Sequence, residues 1–252
     1  MINIVLGMHR SGTSTVAGIL HLHNIIMGTY QNFWPRPLKQ NPKGFYENYD
    51  FRKVNDTILK HSDYNVKSYN SEIPNIILHD KMKLKMSKII KNYSSTYIDW
   101  GWKDPRTCLT IFQWMDVIES LNLKNQVRII FVSRKAISVA RSLKKRNNLS
   151  LKVGLSLWEA YSKKALQFCK ESDLPIFYCS FESLLESPNL ICTPLFKFLD
   201  KKLNKNIINK FIVVGHTDTK GTKYYNNKLS IERAESVKLI LINLGIKSEK
   251  IK

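Results

Sequence analysis

The fold of this chain is decided by its first residues, Ile2-Asn3-Ile4-Val5-Leu6-Gly7-Met8-His9-Arg10-Ser11-Gly12-Thr13-Ser14. The apolar run at residues 2–6 predicts a short buried strand, and a helix is predicted from Thr13 to Leu22. Between them, Gly7 and Gly12 frame a tight loop with the glycine spacing of a P-loop. The N–H groups of such a loop point inward, and the dipole of the following helix adds partial positive charge. This stretch therefore predicts a cradle for an anion.

The residue after Gly12 indicates which kind of anion the loop binds. An ATPase or a GTPase has Lys at this position, where the ammonium group reaches the β- and γ-phosphates. This chain has Thr13 instead, and the nearest cation is Arg10, inside the loop. The loop therefore favours a ligand with a short 5′ anion over a nucleoside triphosphate. A glycine turn that only packs the strand against the helix is the structural alternative.

The composition is typical of one α/β domain, alone or with a small appendage. The chain has 252 residues, of which 43% are hydrophobic and 11% aromatic, enough for a packed core. No apolar run approaches the length of a membrane span, and Met1 leads almost directly into the first strand without a signal peptide. The four cysteines are scattered, which predicts reduced thiols and no zinc site. We therefore expect a cytoplasmic protein without a metal centre.

The chain is strongly basic, with 40 Lys and Arg against 20 Asp and Glu and a net charge of +20. A basic surface attracts anions and speeds their capture. The alternative interpretation is that many of these lysines belong to solvated helix faces. The basic residues are spread out and form no nucleic-acid motif, so no specific nucleic-acid partner is expected.

Apolar runs and helical periodicity alternate along the chain. Besides the first strand, core strands are predicted at residues 97–102, 127–132 and 175–179. After the first helix, further helices are predicted at residues 50–61, 81–93, 107–121, 136–145, 151–170, 181–185 and 194–203. This alternation predicts an α/β fold with a doubly wound parallel sheet flanked by helices. Residues 24–48, which are rich in Pro, Gly and aromatics, form a loop long enough to be a binding surface or a lid.

Three cations come directly after predicted strands. Arg10 follows the first strand, Lys103 the second and Arg134 the third. Ligands of such sheets bind at the carboxyl ends of the strands. The sequence therefore predicts that these cations meet at one edge of the sheet and form an anion site.

Two motifs in this order resemble the sulfotransferase family that uses 3′-phosphoadenosine 5′-phosphosulfate. The stretch from Gly7 to Ser14 resembles its 5′-phosphosulfate loop, in the arginine form typical of carbohydrate and protein-tyrosine enzymes. The stretch from Ser133 to Ser142 resembles its 3′-phosphate motif, in which a strand-end Arg is followed by Ser eight positions later. Ala136 stands where relatives usually have Pro. Further segments similar to bacterial members are Gly44-Phe45-Tyr46-Glu47-Asn48, Trp102-Lys103-Asp104-Pro105-Arg106, Leu157-Trp158-Glu159-Ala160-Tyr161 and Phe181-Glu182-Ser183-Leu184-Leu185.

The resemblance covers about residues 1–205 and implies a P-loop-type α/β domain that binds this donor. It implies transfer of a sulfuryl group to a hydroxyl, most often of a carbohydrate, without a metal. The residues implied to bind the donor are His9, Arg10, Ser11, Gly12, Thr13, Ser14, Arg134 and Ser142. Arg10 and Lys103 are implied to act on the sulfuryl group and the leaving oxygen.

Glu47 is implied to be the catalytic base, because related carbohydrate enzymes have a base Glu in this segment. A positioned carboxylate can accept the proton of a hydroxyl as the transition state develops. His9 and Asp104 are the rival bases. The alternative structural roles are a surface or loop-ordering residue for Glu47, a cradle-shaping residue for His9, and a turn former or a partner of Arg106 for Asp104.

The tail of the chain resembles a second family. Its sequence Val214-Gly215-His216-Thr217-Asp218-Thr219-Lys220-Gly221, with Arg233 on a following predicted helix, resembles the second half of an OmpA-like peptidoglycan-binding domain. That resemblance implies that Asp218 and Arg233 hold the carboxylate and the amine of diaminopimelate. We expect a strand at residues 211–214 and an amphipathic helix at 229–244, as a short strand–helix appendage over residues 206–252. Residues 219–222 alternatively imitate the Lys-Gly element that some cytosolic sulfotransferases place over the 3′-phosphate.

The sequence thus predicts a sulfotransferase and leaves two other function classes open. One is a P-loop kinase-like phosphotransferase, which would require ATP and magnesium. The other is a non-catalytic protein that binds peptidoglycan fragments through the tail, or polyanions through its net charge.

Overall fold

A computed structural model describes residues 1–37 and 44–208. The strands are β1 (Ile2–Leu6), β2 (Trp100–Lys103), β3 (Val127–Ser133) and β4 (Ile176–Ser180). The helices are α1 (Thr13–Leu22), α2 (Tyr49–His61), α3 (Asp80–Thr96), α4 (Thr107–Ser120), α5 (Ala136–Asn147), α6 (Leu151–Glu171), α7 (Phe181–Glu186) and α8 (Pro188–Phe198). Short 3₁₀ turns lie at Val66–Ser68 and Lys124–Gln126.

The four strands form one parallel sheet in the order β2-β1-β3-β4. β1 is central, and its Ile4 lies opposite Trp102 of β2 and Ile129 of β3. Parallel neighbours must be joined by crossovers, and helices cover both faces of this sheet. The predicted doubly wound parallel sheet is confirmed.

Each face of the sheet has its own apolar cluster, because successive side chains of a strand point to opposite faces. Ile4 and Leu6 face helices α2 to α6, whereas Val5 faces α1, α7 and α8. All five residues of β1 are buried. This is the near-continuous apolar pattern of a strand covered on both sides.

Within the described residues, all predicted elements except the last helix agree with the structure within three residues, and the start of the second strand also needs a correction. The second core strand is Trp100–Lys103 and not residues 97–102, because α3 continues to Thr96. The last predicted helix, at residues 194–203, is Pro188–Phe198. Pro188 occupies its first turn, where the missing N–H has no cost, and Pro194 lies inside the helix.

Several expectations concern the tail or the composition. The predicted strand at 211–214 and helix at 229–244, with Asp218 and Arg233, lie outside the described residues. All four cysteines are buried, and they form no disulfide bond with one another. Across residues 1–37 and 44–208, every helix is too short or too polar to cross a membrane.

Candidate active site

The strand order places a crevice at the carboxyl end of the sheet between β1 and β3. The chain leaves β1 toward β2 on one side and later returns to β3 on the other side. Loops after two such strands diverge and leave space between them, which is where open α/β sheets bind ligands. The loop 7–12 follows β1 and Arg134 follows β3, so both predicted anion-binding segments border this crevice.

The loop packs so closely that both framing positions require glycine. A Cβ atom at Gly7 would lie 2.5 Å from the carbonyl oxygen of Val132, at the end of β3. At Gly12, where φ is 87°, a Cβ atom would lie 2.0 Å from the ring of Phe181. Gly12 also caps α1 without a side-chain hydrogen bond. The first N–H groups of a helix capped in this way can serve an anion.

Arg10 and Arg134 join the two predicted donor motifs. Nε of Arg10 donates a hydrogen bond of 2.8 Å to Oγ of Ser142, which lies two turns into α5. Nη1 of Arg134 donates a hydrogen bond of 2.9 Å to the carbonyl oxygen of Arg10. The carbonyl of Arg134 in turn accepts from the indole of Trp158 on α6. The structure therefore brings Arg10, Arg134 and Ser142 together.

The two guanidinium groups carry more positive charge than their surroundings neutralise. Burial lowers the pKa of Arg10, and the nearby cations Arg146 and Arg134 lower this pKa further. In the described part of the chain no carboxylate lies within ion-pair distance of Arg10, and Arg134 has Glu182 at 3.9 Å. A bound anion would remove this imbalance, because desolvated like charges repel each other. The crevice is therefore suited to anionic groups.

The remaining predicted donor residues lie in the loop after β1 and in the first turn of α1. Ser11 and Thr13 are buried, and the N–H of Ser11 donates to the carbonyl of Met8 at 3.2 Å. Ser14 is partly buried in the first turn of α1. Their positions match those of a loop and helix start that enclose a ligand's anionic end.

Lys103 and Glu47 form a buried ion pair at the end of β2. The Nζ atom of Lys103 lies 2.8 Å from Oε1 of Glu47, and the two residues are 1% and 8% exposed. The carbonyl of Glu47 accepts the N–H of Trp34 at 2.9 Å. The next residue, Asn48, caps α2 and donates to the hydroxyl of Tyr93. Glu47 is thus held in place through both its backbone and its carboxylate.

Arg106 connects this ion pair to further carboxylates. Its Nη1 lies 2.7 Å from Asp104 and 3.9 Å from the second oxygen of Glu47. Its Nε lies 2.6 Å from Asp56 of α2, as an ion pair without the angle of a hydrogen bond. Burial alone would lower the pKa of Arg106, but Asp104, Asp56 and Glu47 raise it. Arg106 therefore stays charged and orders three carboxylates.

The two rival bases have surroundings that disfavour proton transfer. Burial alone would raise the pKa of Asp104, but Arg106 and the amide of Asn55 hold it below its ordinary value. His9 has its Nε2 buried without a hydrogen-bond partner among the described residues, and its ring meets Tyr161 edge-on. Burial, followed by the charge of Arg106, lowers the pKa of His9 to about 3. A group with such a low pKa is a weak base at neutral pH.

Sequence reasoning missed three residues that shape the site. Arg106 was noted only as a partner of Asp104. Phe181 covers Gly12, and its ring lies 5.1 Å below the guanidinium of Arg134, which also faces Glu182. All three occur in segments that carry the family resemblance, so that resemblance was the available signal.

Solved structures with the same fold are sulfotransferases. The sulfotransferase domain from the Synechococcus PCC 7002 olefin synthase has a TM-score of 0.53 and 12% identity, with 92% of this chain and 94% of that chain covered. The sulfotransferase domain from the curacin biosynthetic pathway has a TM-score of 0.51 and 14% identity, over 89% and 82%. Sulfotransferase STF9 from Mycobacterium avium has a TM-score of 0.54 and 13% identity, over 93% and 76%. The chain has the sulfotransferase fold.

The tail has a separate relative. The sequence model of the OmpA family matches residues 195–252, in agreement with the resemblance found in the tail. This match begins inside α8, where Leu195 and Phe196 are buried against the sheet. A comparison with curated proteins found no match to the chain.

Proposed function

We propose that this protein is a sulfotransferase that moves a sulfuryl group from 3′-phosphoadenosine 5′-phosphosulfate to the hydroxyl of a carbohydrate. The observation that carries the proposal is the contact of Arg10 with both Ser142 and Arg134 at the crevice between β1 and β3. This contact brings the segment that resembles a 5′-phosphosulfate loop next to the segment that resembles a 3′-phosphate motif.

The donor has one anionic group at each end of its ribose, and the chain has two sets of residues to hold them. Thr13 and Ser14 offer N–H and hydroxyl groups for the 5′ end, and Ser11 offers its hydroxyl. Arg134 and Ser142 would hold the 3′-phosphate. Arg10 uses one of its five N–H groups for Ser142, so the others can reach the anion between the two sets. Charge-assisted hydrogen bonds of this kind are the strong ones.

Glu47 is the residue proposed to accept the proton of the acceptor hydroxyl. As the proton moves to Glu47, the new S–O bond forms and the bond from sulfur to the donor oxygen breaks. Neutralisation of Glu47 ends its attraction to Lys103, and the Lys103 ammonium is then available to the charge on the leaving oxygen. Positioning and electrostatic stabilisation supply most of such a rate enhancement.

A separate observation bears on each of the two other candidate functions, a kinase and a peptidoglycan-binding protein. Thr13 at the position of the P-loop Lys disfavours a kinase. The OmpA match over residues 195–252 favours a second candidate, peptidoglycan binding through Asp218 and Arg233. Retention of the protein on peptidoglycan that disappears in Asp218→Ala would support that second function.

Calorimetry of the purified protein tests the donor assignment. We expect adenosine 3′,5′-bisphosphate to bind without magnesium, with a dissociation constant in the micromolar range. ATP with magnesium should bind more weakly. Preference for ATP would contradict the proposal and support a kinase, and binding of neither nucleotide would also contradict it.

A further inference from the structure

A cleft of about 500 Å³ lies against the outer face of α2, beside the segment that carries Glu47. Its lining combines aromatic and basic side chains. Its lining includes Trp34, Tyr49, Arg52, Lys53, Asp56 and Lys60.

The cleft has an excess of positive charge. Its one carboxylate, Asp56, is used by Arg106 at 2.6 Å and by Arg52 at 3.9 Å. Lys53 and Lys60 are exposed, and neither has an ion pair within the described ranges. Nη1 of Arg52 is buried and has no hydrogen-bond partner in the same ranges. These cations can therefore accept an anionic group from a ligand.

Two aromatic side chains give the cleft an apolar surface. Trp34 is 49% exposed and Tyr49 is 45% exposed, which is unusual for rings of this size. The ammonium of Lys53 lies 5.9 Å from the centre of the Tyr49 ring. Rings with an apolar face and a polar edge suit ligands that are apolar on one side and wet on the other. A sugar ring has this character, because its C–H groups lie on one face.

The cleft borders the backbone segment that carries the proposed base. Trp34 donates its N–H to the carbonyl of Glu47, and Tyr49 follows Glu47 by two residues. Through Asp56 the cleft wall reaches Arg106, which lies 3.9 Å from the carboxylate of Glu47. A chain molecule in the cleft would therefore run beside the segment that holds Glu47.

We infer that this cleft binds an acidic sugar of an oligosaccharide acceptor, one unit away from the hydroxyl that reacts. Trp34 and Tyr49 hold the sugar ring, and Arg52, Lys53 and Lys60 pair with its carboxylate. The inference rests on the proposed function and names its substrate class. A single-stranded nucleic acid also combines rings with charge. The link to Glu47, a base for a hydroxyl, favours the sugar.

The probe is a tetrasaccharide of alternating glucuronate and N-acetylglucosamine, compared with the neutral tetramer of N-acetylglucosamine. Calorimetry is done at about 150 mM salt, where exposed charges farther apart than about 8 Å are largely screened. We expect the acidic tetrasaccharide to bind at least about tenfold more tightly than the neutral one. Trp34→Ala should weaken the binding of both.

A matched pair of double variants separates the cleft from the general charge. The double variant Lys53→Gln with Lys60→Gln should weaken the binding of the acidic tetrasaccharide at least about tenfold. Lys163→Gln with Lys170→Gln removes the same charge at the same spacing from exposed positions of α6 and should change affinity less than about twofold. Both double variants should bind adenosine 3′,5′-bisphosphate like the parent, which also shows that they are folded.

Three results would overturn the inference. The first is an equal loss of affinity for the acidic tetrasaccharide in the two double variants, and the second is equal affinity for the acidic and the neutral tetrasaccharide. The third is that a thymidine tetranucleotide binds more tightly than the acidic tetrasaccharide and that its binding depends on Lys53 and Lys60. If the parent protein does not bind adenosine 3′,5′-bisphosphate, the proposed function is contradicted. The sugar measurements would still decide whether the cleft binds an acidic sugar.

Discussion

The ammonium of Lys103 lies 2.8 Å from the carboxylate of Glu47 where β2 ends, and water reaches neither group freely. Burying such a pair is costly unless further partners compensate the charges. Arg106 lies on the other side of Glu47 and supplies that compensation. The arrangement therefore holds a carboxylate and an ammonium in a defined geometry at the carboxyl end of the sheet.

Glu47→Gln should leave donor binding intact and slow the reaction. The amide oxygen of Gln can still accept from Lys103, so the site keeps its shape, but an amide cannot take a proton. We expect kcat for transfer of labelled sulfuryl to a panel of oligosaccharides to fall by about 100-fold or more. Affinity for adenosine 3′,5′-bisphosphate should change less than about twofold. Glu72→Gln, at an exposed position, is the control, and unchanged turnover would remove Glu47 from the mechanism.

Arg10→Ala and Arg134→Ala should each weaken the binding of adenosine 3′,5′-bisphosphate by about 10- to 100-fold. Each loses a charge-assisted contact, with a free energy of about 1.5–3 kcal/mol. Arg141→Ala removes the same charge from an exposed position of α5, next to Ser142, and should have little effect. Calorimetry at two salt concentrations measures all three. Parent-like affinity in either site variant would show that its arginine does not contact the donor.

Asp104→Asn should destabilise the protein by about 2 kcal/mol or more at pH 7, because the buried Arg106 loses the fully buried carboxylate that lies 2.7 Å from it. The folded pKa of Asp104 lies below its ordinary value, so its contribution is complete above that value and is lost as the pH falls below it. The difference from the parent should therefore shrink below about pH 4. Urea unfolding across this range measures it. Asp80→Asn, which breaks a surface pair with Lys83, should change stability by less than about 1 kcal/mol.

Protonation of His9 should make the free energy of unfolding depend on pH. Replacing His9 by a polar residue that does not titrate should remove this dependence. The folded pKa of His9 is about 3, far below the ordinary 6.5, so the unfolded chain binds the proton more readily. The His9 contribution is complete above the unfolded pKa and falls as the pH drops toward 3, by up to about 1.4 kcal/mol per pH unit. His9→Asn should flatten the stability profile between about pH 6.5 and 4.5. A His9 imidazole that titrates near 6.5 in NMR spectra of the folded protein would contradict this.

The helices, the strands and the residues at the strand ends were predictable from the sequence. The residues that they contact elsewhere in the chain were not. Alternation of apolar runs with helical periodicity located β1, β3 and most helices, because burial on both faces leaves a strong local pattern. The resemblance of residues 133–142 to a 3′-phosphate motif also predicted one anion-binding segment. The start of α8 was missed because two prolines, Pro188 and Pro194, compete for the first turn.

The contacts that make the site are between residues far apart in the chain. Local pattern could not show that Arg10 meets Ser142, or that Arg106 lies between Asp56, Asp104 and Glu47. Each of these depends on how α2 and α5 pack around the sheet.

The sequence by itself determined the alternation of strands and helices, the glycine loop after β1 and the cations that follow three strand ends. It did so because hydrophobic period, turn chemistry and helix caps act within a few residues. Only the tertiary structure decided that β1 lies between β2 and β3, which aligns Lys103, Arg10 and Arg134 along one edge. Strand order depends on burying apolar faces contributed from the whole domain, and no local stretch of sequence contains that information.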